Sequence, residues 1–369
     1  MSVEQAHHKE CPLLDVFYFE YMFNKKVRVM RYLASLIFPV TLFVSLSVGG
    51  MWTWAVVGIA FGVLPTMELF LKPDTHNLTT AQETDFWRQK LYPFIPALFV
   101  PIQWGCVLFF LYQMSHPTLA HPVEIAGATA SLAVCCVTFG INVGHELGHR
   151  PNRWMQHLAK LCLMSTLYVH FFIEHNLGHH RHVATEEDPA SARRDESVYA
   201  FLVRSVWGSF WSAWRIDPRQ MAALLTIQTV IWAGLLAFAS LQAFALAALA
   251  GIGGALLLEV VNYIEHYGLQ RRKLPNGRYE KVLPVHSWNS DHPLGRAVLF
   301  ELSRHSDHHA NPRRPYAQLR SYPEAPQLPT GYPGMILLSL VPPLFFRVMD
   351  PLLDRWASEV NAGPESSYA

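Results

Sequence analysis

The sequence predicts an all-α integral membrane protein, with six transmembrane helices and a histidine-rich cap on the cytoplasmic side. Hydrophobic residues make up 51% of the 369 residues and charged residues only 15%, against about 25% in soluble domains. Long apolar segments recur along the chain, and clusters of histidine follow several of them. We expect residues 1–369 to form a single membrane-embedded catalytic domain.

Six segments are apolar enough to cross a bilayer, which needs roughly 20 residues. They cover about residues 32–50, 52–72, 92–114, 122–145, 221–240 and 242–266. Two further apolar segments should not span. We expect residues 154–173 to form a helix buried against the bundle on the cytoplasmic side. Residues 335–350 are short and contain proline, so we expect them at the membrane interface.

The basic residues predict the orientation of these spans. The turns near residues 50, 115–121 and 241 contain no lysine or arginine. Because basic residues concentrate in cytoplasmic loops, the N-terminus is predicted inside, and residues 146–220 and 267–369 are predicted cytoplasmic. The formal net charge of +1 gives no indication of nucleic-acid binding. No Cys-x-x-Cys pair occurs, so a thiolate metal site is not predicted.

Four short motifs carry the unusual histidines, and each lies at or just after the predicted cytoplasmic end of an apolar segment. They are "HELGH" (His145, His149), "HNLGHH" (His175, His179, His180), "NYIEHYG" (His266) and "HSDHH" (His305, His308, His309). Spacings of three and four place side chains on one face of a helix. Nine imidazoles are too many for one ion, so the sequence predicts two metal ions.

A carboxylate stands next to each motif: Glu146, Glu174, Glu265 and Asp307. Some of these carboxylates are expected to ligate a metal or to accept the free N–H of a metal-bound histidine, and the sequence does not separate these roles. Ligation by imidazole suits iron, zinc, copper or nickel alike. "HELGH" also fits a zinc-protease motif with Glu146 as general base, but that interpretation leaves seven clustered histidines unexplained.

The motifs resemble those of a known family. "HELGH", "HNLGHH" and "HSDHH" look like the three histidine boxes of integral-membrane di-iron desaturases and hydroxylases. "NYIEHYGL", "HHRHVATEEDPASAR", "HSWNS", "RHSDHHANPRRPY" and "LPTGYPGM" resemble the alkane 1-monooxygenase family more closely, over about residues 30–355. Arg150 after the first box and the "VATEEDP" segment are small departures that change no expected ligand.

The resemblance implies a non-haem centre of two iron ions, bound by all nine histidines, with O2 as co-substrate. The implied reaction is terminal hydroxylation of medium- or long-chain n-alkanes to 1-alkanols. The family takes electrons from rubredoxin, which rubredoxin reductase and NADH reduce. The five cysteines contain no rubredoxin motif, so we expect a separate donor protein or a domain absent from this chain. The implied location is the bacterial inner membrane, with the active site on the cytoplasmic side.

Two further sets of residues are weaker candidates. Rubredoxins are acidic, and three basic clusters lie on the predicted cytoplasmic side: Arg193–Arg194, Arg271–Arg272–Lys273 and Arg313–Arg314. They either receive the donor or simply anchor the topology. Ala60, among small residues of the second predicted span, either leaves room for an alkane tail or serves close helix packing.

Two other functions remain open from the sequence. A fatty-acyl desaturase or other membrane lipid hydroxylase of the same superfamily would use the same boxes, with a place for a polar headgroup. A metal transporter or sensor would place its ligands at mid-membrane depth, whereas these lie at one end of the spans.

Overall fold

The computed structural model describes residues 31–88, 94–116, 119 and 121–362, and within them the protein is almost entirely helical. The β pairing in these residues amounts to two isolated bridges, Lys273–Tyr279 and Asn289–Gln327. The predicted all-α class is therefore confirmed for this part of the chain. Residues 92–93 of the third predicted span lie outside the described residues.

The helices are numbered in chain order. The first seven are α1 (Tyr32–Val48), α2 (Gly50–Glu68), α3 (Thr80–Arg88), α4 (Phe94–Ser115), α5 (Pro122–Gly148), α6 (Arg153–Met164) and α7 (residues 171–182). The remaining ones are α8 (Val198–Ile216), α9 (Pro218–Leu236), α10 (Leu241–His266), α11 (Pro293–Val298), α12 (His305–Ala310), α13 (Tyr332–Ser339) and α14 (Pro342–Ala362).

Four of the described helices, α2, α4, α5 and α10, are long and apolar enough to cross a membrane, judged by length and composition. Helix α1 is a shorter apolar helix. Helix α9 covers most of the predicted span at residues 221–240, but it begins with a polar Pro-Arg-Gln turn and is not among the four. The six-span arrangement therefore stays a prediction.

The predicted continuous helix at residues 154–173 is wrong. Helix α6 ends at Met164, and the chain turns before α7 begins at Phe171. The hydroxyls of Ser165 and Thr166 donate to the carbonyl oxygens of Cys162 and Leu163, and Leu167 has a left-handed backbone with φ of 57°. Side-chain hydroxyls that bind nearby backbone groups compete with helix continuation, which hydropathy alone does not reveal.

Helix α10 is the centre of the bundle and packs closely against α5. A β-carbon at Gly254 would lie 2.6 Å from the Cβ of Cys136, so the two backbones approach to a distance that only glycine permits. Because α5 and α10 both run toward the same end of the bundle, their last turns deliver the first histidine motif and His266 to one place.

Three stretches have wide, π-type turns: Ile59–Val63 in α2, Cys136–Asn142 in α5 and His175–His179 in α7. Turns of this kind are uncommon and are frequently found at functional sites. The last two lie just before and within the histidine motifs, so they set the direction in which those side chains point.

Helix α8 has an apolar outer face. Tyr199, Val203, Trp207 and Trp211 recur every four residues on its outer face, and all are more than half exposed. Its buried face combines apolar side chains with hydroxyl side chains such as Ser205. An apolar, Trp-rich outer face is typical of helices in contact with lipid at the membrane interface.

Candidate metal centre

The four histidine motifs converge from the ends of α5 and α10, from α7 and from α12. All nine histidines fall into two groups, and within each group the candidate ligand atoms lie within 4.8 Å of one another. The five-histidine site consists of His145, His149, His175, His180 and His308, and the four-histidine site of His179, His266, His305 and His309. The sequence predicted these residues as ligands but did not show how they divide.

In the five-histidine site the Nε2 atoms face one another. Four separations connect the whole group: 2.8 Å for His145–His308, 3.1 Å for His149–His175, 3.0 Å for His175–His180 and 3.0 Å for His180–His308. A metal bound at about 2.1 Å holds two nitrogens at right angles about 3.0 Å apart. The group therefore fits around one metal ion.

The Nε2 atoms of the four-histidine site are similarly close to one another. The Nε2 atoms are 3.2 Å apart for His179–His309 and 3.2 Å apart for His266–His305. Sequence neighbours divide between the sites: His179 and His180 belong to different groups, as do His308 and His309. Adjacent residues of a helix point about 100° apart, so one short helix supplies both sites.

The two sites differ in exposure. All members of the four-histidine site are buried, with at most 3% of any residue exposed. In the five-histidine site His149 and His180 are half-buried. They line an open surface cavity of about 350 Å³ together with Asn176, Arg313 and other residues. The five-histidine site is therefore accessible from the protein surface.

Most of these imidazoles are suited to ligation because they are neutral. For six of the nine histidines the pKa lies well below its usual value, because of burial first and the charge of neighbouring histidines second. These six are His149, His175, His180, His305, His308 and His309. A metal needs the unprotonated nitrogen, so these residues require no proton release before ligation.

His179 differs because an acidic residue contacts it. Its Nδ1 lies 2.8 Å from Oδ2 of Asp188, a carboxylate that the sequence analysis missed. Burial by itself would lower the pKa of His179. The charge and hydrogen bond of Asp188 together outweigh burial, so the pKa is raised to about 9. Such a pair fixes the ring orientation and turns Nε2 toward the metal. The sequence feature that could have identified Asp188 is its position a few residues after the second box, in "VATEEDP".

Two of the predicted carboxylates lie near the four-histidine site. Oε2 of Glu265 is 3.2 Å from Nε2 of His305, although Glu265 is not a member of the group. Burial, followed by the charge of Asp188, raises the pKa of Glu174 to about 8. In the described residues neither carboxylate forms an ion pair with arginine or lysine.

The other two predicted carboxylates are bound by arginine instead. Oε1 of Glu146 lies 3.1 Å from Arg150. Asp307 accepts hydrogen bonds from Arg314 at 2.6 Å and from the backbone N–H of Arg320 at 2.7 Å. The contacts of Asp307 hold the segment after α12 in place. Because Glu146 and Asp307 are both bound by arginine, neither is a candidate metal ligand.

The basic residues predicted to dock the electron donor make different contacts in the structure. Arg271 donates to backbone carbonyls of Glu280 and Arg181, and Arg314 is held by Asp307, so both have structural roles. Arg194 pairs with Asp354 and Arg272 with Glu280 on the surface. Three members are exposed and form no ion pair among the described residues: Arg193, Lys273 and Arg313. Arg313 alone among these lines the cavity at the five-histidine site.

Ala60 lies away from the metal centre, in the wide turn of α2, and is 6% exposed. Its neighbours Val57 and Phe61 line an apolar groove of about 720 Å³ between α2, α5 and α10. Ala60 is packed inside the bundle beside this groove.

Comparison with known proteins agrees with the geometry. The fatty acid desaturase family model matches residues 122–338, which contain all nine histidines. Alkane 1-monooxygenase from Pseudomonas putida is 36% identical over 323 residues, covering 84% of this chain and 80% of the relative. Alkane 1-monooxygenase 1 from Alcanivorax borkumensis is 37% identical over 320 residues, covering 83% and 79%. Alkane 1-monooxygenase 2 from Pseudomonas aeruginosa is 38% identical over 315 residues, covering 81% and 84%. This chain belongs to the alkane 1-monooxygenase family, within the fatty acid desaturase superfamily.

Proposed function

We propose that this protein hydroxylates the terminal methyl group of medium- or long-chain n-alkanes to give 1-alkanols. The observation that carries the proposal is the convergence of nine histidines into two groups in a chain of this family. One alkane, one O2, two electrons and two protons give one alcohol and one water. Rubredoxin is the proposed electron donor, reduced by NADH through rubredoxin reductase.

We propose iron as the metal, one ion in each site. Imidazole ligands suit iron, and the nitrogen separations of 2.8–3.2 Å fit an ion at each centre. When bound, a pair of redox-active irons supplies the activation of O2. The chain itself contributes the neutral nitrogen ligands and, through Asp188, the fixed orientation of His179.

We propose that the alkane approaches through the apolar groove between α2, α5 and α10, while a separate apolar cluster shields the five-histidine site. Phe171 stacks on His175 with ring centroids 4.5 Å apart, and it packs in a buried cluster with Ile141, Leu163 and Leu258. This cluster covers the five-histidine site from the side of the bundle. It would exclude water from the metal on that side.

Ala60 is the proposed determinant of chain length. A small side chain beside the apolar groove leaves space that a large ring would fill. We expect Ala60→Trp to shift the preferred substrate toward shorter alkanes, measured as 1-alkanol yield across a chain-length series. An unchanged profile would mean that Ala60 serves only helix packing.

The proposed location is the bacterial inner membrane, with six spans and the metal centre on the cytoplasmic side. The four long apolar helices support membrane insertion. The Trp-rich outer face of α8 supports a position for that helix at the membrane interface, so residues 198–216 contact lipid as well as the cytoplasm.

We propose that rubredoxin docks over the cavity beside His149 and His180. The imidazole edges of these ligands are the most accessible part of the centre, and Arg313 lines the cavity. An acidic donor would be attracted by that guanidinium. Arg193, Arg194, Arg272 and Lys273 are exposed and remain candidates at the margin, whereas Arg271 and Arg314 act through the fold.

One experiment separates this function from its alternatives. The purified protein in lipid is incubated with an n-alkane, rubredoxin, its reductase, NADH and ¹⁸O2. We expect a 1-alkanol that carries one ¹⁸O atom. A desaturase would instead convert an acyl substrate to an unsaturated product without oxygen incorporation, and a transporter would give neither product.

A further inference from the structure

We propose that the two sites hold their metal ions with unequal affinity: the four-histidine site retains its ion, while the ion of the five-histidine site exchanges with the solution. The inference rests on the proposed binding of two metals but not on the alkane chemistry. It follows from three differences between the surroundings of the two sites.

The first difference is access. His179, His266, His305 and His309 are buried, so an ion there leaves only if the helices separate. His149 and His180 face a cavity of about 350 Å³ that is open to the surface. Water or a chelator can therefore reach the ion of the five-histidine site without any change in the fold.

The second difference is charge. Asp188 contacts His179 and Glu265 lies 3.2 Å from Nε2 of His305, and neither carboxylate forms an ion pair with arginine or lysine in the described residues. At the five-histidine site, Arg150 neutralises Glu146 and Arg313 adds a positive charge at the cavity. Buried negative charge stabilises a cation, so the four-histidine site is the stronger one electrostatically.

The third difference is how the ligands are held. Within the described residues, His179 is the one of the nine whose Nδ1 is hydrogen-bonded to a carboxylate. Asp188 is itself fixed by the hydroxyl of Ser191 at 2.6 Å and the N–H of Ala190 at 3.0 Å. The five-histidine site has one more ligand nitrogen, and that extra ligand would by itself favour tighter binding there. We infer that charge and burial outweigh that single neutral ligand.

Chelation of the purified, iron-loaded protein tests the inference. The protein is held reduced without oxygen, incubated with EDTA, and its iron content per chain is measured over time by mass spectrometry. We expect one ion to leave quickly and a plateau at one ion per chain. Loss of both ions in a single phase, or no loss of either, would overturn the proposal.

Substitutions identify which ion remains. Loss of an outer carboxylate typically weakens metal binding by about 10–100-fold, so Asp188→Asn should abolish the plateau. Glu187→Gln is the matched control, because Glu187 is adjacent, exposed and paired with His182 rather than with a ligand. A plateau that survives in folded Asp188→Asn protein contradicts the assignment.

Because Asp188 also organises its loop, Ser191→Ala provides a second variant that keeps the carboxylate but removes one of its supports. We expect Ser191→Ala to retain the plateau at one ion. The unfolding temperature of every variant is measured to confirm that the protein is folded. Loss of the plateau in Ser191→Ala would show that loop structure, not the charge of Asp188, retains the ion. Alkanol formation is measured separately, so failure of the proposed reaction would not be confused with failure of this inference.

Discussion

The five-histidine and four-histidine sites are built from one kind of ligand but lie in opposite surroundings. One has two half-buried histidines, an open cavity and arginine-bound carboxylates. The other is buried and has Asp188 and Glu265 against its histidines. Ligand type therefore does not distinguish the two sites. The groups around the ligands set access and charge.

The sites are nevertheless not independent, because α7 and α12 each supply ligands to both. His179 and His180 are adjacent, and so are His308 and His309. A shift of either helix would therefore move both sites together. Substitutions of single side chains, rather than of helices, are the way to distinguish them.

The largest expected effect comes from removing one ligand at each site. His305→Ala leaves three imidazoles in the buried site, whereas His149→Ala leaves four in the accessible site. We expect His305→Ala to retain one iron per chain and to lower 1-alkanol formation to below about one hundredth. His149→Ala should keep more of its second ion at saturating iron.

Both variants are compared by iron content and by membrane insertion, which should match that of the unaltered protein. His286→Ala is the control, since His286 is buried but hydrogen-bonds Glu280 instead of joining either group. Equal metal loss in His305→Ala and His149→Ala would show that the ligand numbers do not distinguish the sites.

A smaller effect is expected from Phe171→Ala, which removes the ring stacked on His175. Loss of a buried aromatic side chain costs about 3–5 kcal/mol of folding free energy, because it leaves a cavity. We also expect water to enter beside the five-histidine site, so that NADH is consumed without an equal yield of 1-alkanol. Thermal unfolding and the ratio of alkanol formed to NADH consumed are the measurements.

Phe210→Ala is the matched control, because its ring packs edge-on against His170, which is not a proposed ligand. It should lower stability without changing the ratio of alkanol to NADH. If both variants change that ratio alike, Phe171 has no particular role at the site.

The smallest expected effect is from Arg313→Glu at the cavity. Reversal of one exposed charge should raise the KM for rubredoxin by about three- to tenfold, with little change in kcat at saturating donor. The effect should diminish as salt increases. Arg278→Glu, an exposed arginine outside the cavity, is the control. An equal change in both variants would place donor docking elsewhere.

The sequence predicted the helical class and all nine histidines because apolar length and histidine spacing are local signals. His266 was correctly placed with the others because it ends an apolar segment on the same side. The division into two sites was not predictable, since it depends on how α7 and α12 are rotated against α5 and α10. The wide turn at His175–His179 contributes to that rotation.

Other features depend on contacts between distant parts of the chain. Asp188 reaches His179 through the loop after α7, and Arg150 and Arg314 draw Glu146 and Asp307 away from ligation. Proximity in sequence did not separate the roles of the four neighbouring carboxylates. All four are buried in the structure, but only Glu146 and Asp307 pair with arginine among the described residues.

The central claim is that nine imidazoles surround two separate irons. Anomalous X-ray scattering at the iron edge, from crystals of the iron-loaded protein, tests it most directly. We predict two iron peaks, one among His145, His149, His175, His180 and His308 and one among His179, His266, His305 and His309. A single peak, or a peak outside these groups, would contradict the account.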